Sequence, residues 1–244
     1  MDARDCCRYL PWDSEHFGAR IGRVNATRLT ADLPADIDRW AVSHSIDCLY
    51  LLAEPDPLTM RLAAGMGFRF VDARTTFEAQ QPRPSSSEET RSIRPAALHD
   101  IPDLRRIAGE SHRDSRFYAD GNFRLDACDE MYRIWIERSC REPGFAGAVF
   151  VAERERCPVG YISCRVATEV GDIGLVAVDG KCRNLGLGGR LVCRALSWFA
   201  AQGARRVTVV TQGSNVPSQR LYQKSGFLIS SVQLWYHRWF LREA

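Results

Sequence analysis

The chain has 244 residues, 45% of them hydrophobic and 26% charged, with a formal net charge of +3. That is the balance of a globular protein able to bury a core without staples, long enough for one large domain or two small ones. So small a charge, with arginines scattered rather than run together, excludes a nucleic-acid tail, and no stretch of about 20 apolar residues offers a membrane span.

In chain order, the first clear punctuation is the polar segment 80–90, Gln80-Gln81-Pro82-Arg83-Pro84-Ser85-Ser86-Ser87-Glu88-Glu89-Thr90. Its two prolines and lack of apolar residues predict an exposed linker. The division is an amino-terminal domain over 1–80, a linker over 81–91 and a second domain over 92–244. A short strand is expected at 92–95. A helix follows over 100–108, with Asp100 as its cap and Pro102 in the first turn, where a missing N–H costs nothing. Residues 131–140 read as a helix, with Ile134, Trp135 and Arg138 at helical spacing. Strands are expected at 148–152 and 160–166 around a polar turn at 154–158, and again at 171–178. Residues 187–201 form the strongest helical pattern, with Leu187, Leu191, Ala195, Trp198 and Phe199 on one face and Gly203 as C-cap. A buried-type strand at 206–211, a short helix at 218–224 and a strand over 227–239 complete a mixed α/β order.

Nine cysteines include one adjacent pair, Cys6-Cys7, and no C-x-x-C. They read as free thiols in a reducing compartment, with no metal site. The opening Met1-Asp2-Ala3-Arg4-Asp5 lacks an apolar h-region, so a cytoplasmic location is expected.

An internal repeat is visible. Leu49-Tyr50-Leu51-Leu52, Asp56, Arg61-Leu62 and Gly67-Phe68 return at one constant offset as Thr208-Val209-Val210-Thr211, Asn215, Arg220-Leu221 and Gly226-Phe227. Ala63 stands where the second copy has Tyr222, and no glycine-rich loop precedes it. Chemistry therefore belongs to the second copy, with the first as scaffold or substrate wall.

The segment Arg183-Asn184-Leu185-Gly186-Leu187-Gly188-Gly189-Arg190 links the 171–178 strand to the strongest helix. Glycines admit a ligand close to the backbone, and a helix N-terminus favours an anion such as pyrophosphate. The glycines are G-x-G-G after a late strand, which is not a Rossmann fingerprint, and no Gly-Lys-Ser/Thr of a P-loop is present. The pattern Arg183-x-x-Gly186-x-Gly188 resembles the acetyl-CoA loop of the Gcn5-related N-acetyltransferase (GNAT) superfamily. The block Asn215 to Phe227, with Leu221-Tyr222 and Gly226-Phe227, resembles a second segment of the same superfamily. Gly180 and Cys182 depart from its more usual proline and aromatic.

The resemblance implies a GNAT fold over 92–244 behind a truncated GNAT-like first domain, with acetyl-CoA as co-substrate. Pantetheine would lie against Val176, Ala177 and Val178, pyrophosphate on the amides of Leu185 to Arg190 beside Arg183, and Asn215 against the pantetheine arm. Tyr222 would protonate the leaving thiolate. The base that takes the amine proton is left open among Asp72, Glu110, His112 and Asp114, with Asp72 favoured if the first domain closes the acceptor pocket. The stretches 10–18, 112–117, 132–137 and 234–238 resemble the dTDP-fucosamine acetyltransferase family, which implies a nucleotide-linked amino sugar as acceptor, near Arg116, Phe117 and Trp135. A protein or small-molecule amine is the alternative acceptor, and a non-catalytic acetyl-CoA-binding module the alternative class. A dimer is conceivable if the strand at 234–239 is an edge.

Overall fold

The computed structural model describes residues 6–240 apart from 85, 87 and 89. The expectations that rest on the first five residues, and on 85, 87 and 89 within the linker, lie outside the described residues. The amino-terminal part comprises β1 (Cys7–Tyr9), α1 (Pro11–Phe17), β2 (Ile21–Val24), α2 (Leu33–Ser43), β3 (Cys48–Ala53), α3 (Pro57–Gly65) and β4 (Arg69–Gln80). The remainder comprises β5 (Ile93–Pro95), α4 (Ile101–Glu110), α5 (Arg116–Asp120), α6 (Leu125–Arg141), β6 (Ala148–Arg154), β7 (Cys157–Ala167), β8 (Val170–Val178), α7 (Leu187–Ala201), β9 (Arg206–Gln212), α8 (Val216–Lys224) and β10 (Leu228–Trp239).

All ten strands join one sheet in the order β1-β2-β3-β10-β4-β9-β8-β7-β6-β5. The closing strand of each copy is exchanged: β4 lies between β9 and β10, and β10 lies between β3 and β4. Arg74 and Gln233 are 159 residues apart and pair directly, the Arg74 guanidinium donating to Gln233 Oε1 at 2.9 Å. That separation is also the repeat offset, so a pseudo-twofold axis passes between them. The copies share local chemistry. Asp56 accepts from Thr59 N at 2.9 Å to cap α3, and Asn215 accepts from Ser218 N at 3.1 Å to cap α8. Gly67 and Gly226 follow those helices with φ of +79° and +85°, a conformation only glycine adopts freely.

The placement of β10 corrects the edge expectation. Residues 234–239 pair with β3 on one side, and most of them pair with β4 on the other, so no unpaired ladder is left there for a second copy. Asp100 also differs from expectation. The chain enters α4 through a tight turn at 98–100, so Asp100 has helical dihedrals, and its carboxylate reaches back to Ala97 N and to Arg94, each at 2.7 Å, instead of capping α4.

Two apolar layers cover the part of the sheet around β9. On one face α7 and α8 pack Leu191, Phe199 and Tyr222 against Phe77, Ile173 and Val209. On the other, α4, α5 and α6 pack Leu104, Phe117, Met131 and Tyr132 against Tyr50, Tyr161 and Ala177. Each fully buried Leu or Phe contributes about 1.5–3 kcal/mol. The four stretches behind the amino-sugar resemblance meet in this second layer, which holds Trp12, Phe17, Phe117, Tyr132, Trp135 and Trp235.

Candidate active site

Parallel pairing of β8 with β9 runs from Val170↔Arg206 to Ile173↔Val209 and stops. At that point a register shift against β7 bulges β8, with Ser163 Oγ accepting from Leu175 N at 2.9 Å. A bulge bends its strand, and the last residues of β8 part from β9. Val176, Ala177 and Val178 form one arm of a V-shaped opening. They pair with β7 on their far side only, so alternate N–H and C=O groups face the opening.

The loop after β8 is built from its own residues. Asp179 accepts from Lys181 N at 2.9 Å and ion-pairs with Arg106 of α4 at 2.9 Å. Arg183 Nε donates to Val178 O at 3.3 Å, which lays the guanidinium across the turn. Asn184 and Gly186 adopt φ of +63° and +77° and bring the chain into α7 without a side-chain cap. The first N–H groups of α7 therefore point into the mouth of the loop. A Cβ on Gly189 would meet nothing within 4 Å, and one on Gly188 would come to 3.3 Å of Leu221. One glycine keeps the mouth open and the other lets α7 approach α8. Exposed Leu185, half-buried Arg190 and buried Leu187 complete the segment. Free amides, a helix dipole and arginine fit a pyrophosphate. Cys182 is buried in the layer under α7.

Tyr222 is 2% exposed, with its ring 5.7 Å from Phe77 and 5.9 Å from Phe227. Burial pushes its phenol pKa up, so the hydroxyl stays protonated through the neutral range and can act as a donor. The carbonyl oxygen of Asn215 is committed to capping α8, which leaves its amide NH2 for a ligand.

Asp72 is buried on β4, opposite Trp235. Burial raises its pKa to about 6, opposed by backbone N–H groups of Ala73 and Gly213 and by the charge of Arg116. Strand alternation sets Asp72 on the face opposite Phe77, and so opposite the Tyr222 ring. The remaining base candidates fare differently. Glu110 is exposed and paired with Arg106 at 3.4 Å, and Asp114 is exposed. His112 stacks on Tyr132 at 4.6 Å and bonds the Tyr161 hydroxyl at 2.9 Å. Burial, helped by the charge of Arg183, lowers the His112 pKa to about 4.

On the sheet face under α5, Arg116 lies 4.0–4.2 Å from the rings of Tyr50, Phe117 and Trp235 and donates to His237 Nε2 at 2.6 Å. His237 Nδ1 in turn donates to Asp120, which also accepts from Trp239 Nε1 at 3.0 Å. Burial and the charge of Arg116 keep His237 neutral, whereas hydrogen bonds hold the Asp120 carboxyl below its ordinary range against its burial. Phe117 is core, 5.3 Å from Phe17. Trp135 packs edge-on against Tyr132 at 5.5 Å and faces Trp12 at 6.0 Å. Tyr50, Asp120 and His237 escaped the sequence reading because their partners are distant in the chain; only the 234–238 stretch pointed to His237. Among the described residues, no group of three or more His, Cys, Asp or Glu is placed to hold a metal, and no helix is long and apolar enough to cross a membrane.

The family model described as "Acetyltransferase (GNAT) family" matches residues 105–227, about half of the chain, so the protein belongs to that family. Among curated relatives, the "Spore coat polysaccharide biosynthesis protein SpsD" of Bacillus subtilis is 27% identical over 57% of this chain and 47% of its own length. A "Mycothiol acetyltransferase" of Thermobispora bispora is 27% identical over 75% of this chain and 62% of its own. The chain thus spans roughly half to three-fifths of the length of these relatives. The fold is shared with a GCN5-related N-acetyltransferase from Sphaerobacter thermophilus, with a TM-score of 0.68, 14% identity, and coverage of 98% of this chain and 77% of that one.

Proposed function

We propose that this chain is an acetyl-CoA-dependent N-acetyltransferase whose acceptor is the primary amine of a nucleotide-linked amino sugar. The observation that supports the reading is the opening between β8 and β9, with an uncapped glycine-rich helix start at its mouth; Tyr222, buried against Phe77, and Asp72, on the other face of β4, are taken as its acid and base. The amine nitrogen attacks the thioester carbonyl and the C–S bond breaks. The amine proton passes to Asp72 and the thiolate takes the Tyr222 proton. An N–H at the parted end of β8 faces the developing oxyanion. In this reading the amino-terminal half is a truncated second copy that walls the acceptor pocket, and the dTDP-4-amino-4,6-dideoxyhexose type is the sugar favoured by the aromatic layer and by the polysaccharide relative.

A small-molecule amine acceptor is the second reading, supported by the mycothiol acetyltransferase matched over 75% of the chain. A pure binding module has no use for the protonated Tyr222 that this reading takes as its acid. Thiol release from acetyl-CoA, measured with dTDP- and UDP-amino sugars, peptides and small amines, tests these readings. Turnover on peptides or small amines with none on any sugar nucleotide removes the sugar reading.

A further inference from the structure

The sheet face beneath α5 is unusually cationic for a buried surface. Arg8 pairs with Arg23, Arg23 with Tyr50, Tyr50 with His237, Trp235 with Asp72, and Gln233 with Arg74. Paired residues project to the same side of a sheet, and alternate residues share it. Arg23, Tyr50, Trp235, Asp72 and Arg74 therefore line one surface. Arg116 is laid over it. Its guanidinium carbon is 4.2 Å from the Trp235 ring, and that of Arg23 is 5.1 Å from the same ring.

None of these three guanidiniums has a carboxylate within ion-pair distance among the described residues. Arg74 is held only by the neutral Gln233 and Thr76, and Arg116 only by neutral His237. Burial, then the charges of Arg8, Arg116 and Arg74, lower the Arg23 pKa. Of the carboxylates nearby, Asp13 of α1 and Asp72 of β4 are pushed up by burial; Asp172 acts on Arg74 from a distance, and Asp120 reaches Arg116 only through His237. Two buried hydroxyls nearby, Tyr50 Oη beside the Arg116 guanidinium and Ser115 Oγ beside Tyr132, complete no well-formed hydrogen bond. Tyr50 is 1% exposed with its ring under Arg116, and Ser115, 3% exposed, precedes Arg116 in the chain. Crowded guanidiniums and orphaned donors are each costly unless a ligand completes them.

We infer that Arg23, Arg74 and Arg116, with the hydroxyls of Tyr50 and Ser115, form the subsite for a diphosphate on the acceptor. The inference deepens the N-acetyltransferase reading and rests on it for the word acceptor. Two of its arginines come from β2 and β4, so recognition of the acceptor's charge is largely a property of the amino-terminal half. Asp72 and Arg74 are two residues apart on one face, roughly 7 Å, which sets the diphosphate about one sugar ring from the base.

The test is calorimetric binding of thymidine diphosphate to protein saturated with CoA, so that the loop at Arg183 is already filled. Binding is expected in wild type, weakened at least about tenfold in Arg23→Gln and in Arg74→Gln, partly restored in Arg23→Lys, and unchanged in the surface variant Arg39→Gln. Equal binding by the wild type and both Gln variants, or no binding of thymidine diphosphate to the wild type, overturns the subsite. Thermal midpoints show which variants are folded, and Arg23→Met and Arg74→Met, which keep the apolar stem and drop the charge, replace any Gln variant that is not. Thiol release with amines is measured alongside. Its absence strikes the acetyltransferase reading and leaves the binding result standing, whereas turnover with unaltered diphosphate affinity in the Gln variants strikes the subsite alone.

Discussion

Two strand–loop–helix units lie in equivalent places on either side of the pseudo-twofold axis, and only one has a glycine-rich loop. In the second copy, β8 parts from β9 and a glycine-rich loop leads to α7. In the first, β2 also runs parallel to β3, from Ile21↔Cys48 to Arg23↔Tyr50. The loop after β2, residues 25–32, has no glycine and leads to a helix that opens with Asp32 and carries Asp36 in its first turn, a start hostile to an anion. Its opening is stitched: Glu54 N donates to Thr27 O at 2.8 Å, Thr27 Oγ1 donates to Glu54 at 3.1 Å, and Arg28 pairs with Glu54 at 2.6 Å. Buried Leu29 is tied to Thr59 Oγ1 at 3.0 Å. The two copies thus differ in the loop, glycine-rich only after β8, and in the strand, bulged in β8 and regular in β2.

Substitutions made in both copies sharpen that contrast. The largest effect is expected at Tyr222→Phe, with turnover lowered about 100-fold or more and acetyl-CoA affinity within about twofold. The reciprocal Ala63→Tyr creates no second activity, and steady-state kinetics with equilibrium binding reads both. Asp72→Asn comes next. With a folded pKa of about 6 against an ordinary 3.8, the wild-type carboxyl contributes stability below about pH 4 that is lost as pH rises through 6. The variant is therefore more stable than wild type by about 1–3 kcal/mol above pH 6, converges with it near pH 4, and loses the rise in turnover that wild type shows as pH climbs through 6. Denaturant melts and pH–rate profiles check the two halves of this expectation, and Ser231→Ala, at the position of β10 that the repeat relates to Asp72, alters neither. Gly186→Val strains a backbone at φ of +77° and lowers acetyl-CoA affinity about tenfold. The smallest effects are at the helix caps. Asn215→Ala and Asp56→Ala each lower the thermal midpoint by roughly 2–4 °C, but only Asn215→Ala also weakens acetyl-CoA binding.

The second copy was legible because its signals are local. Leu187 to Ala201 carries one apolar face, Asn215 and Gly226 bracket a short helix, and Gly186 and Gly188 mark a close approach within a few residues of one another. The first copy was not, apart from the repeat. β3 is buried along its whole length, so Leu49 to Ala53 show no alternation, and β1 and β2 are too short to carry a period. α5 spans only Arg116–Asp120, five residues, too few to show a helical period in the sequence. The Arg116–His237–Asp120 chain joins residues more than 100 positions apart, and no spacing rule reaches that far.

Strand exchange has a consequence for the order of assembly. Until β10 is in place, β3 and β4 have no ladder between them, and β4 is paired only along the edge it shares with β9. The longest-range pairing in the sheet, β3 with β10, depends on residues 228–239, which follow every other described strand in the chain. Closure is therefore a late event with a high loop-closure cost. Fragments cut within residues 81–91 are expected to gain full thermal stability only when mixed, a complementation that circular dichroism would follow directly.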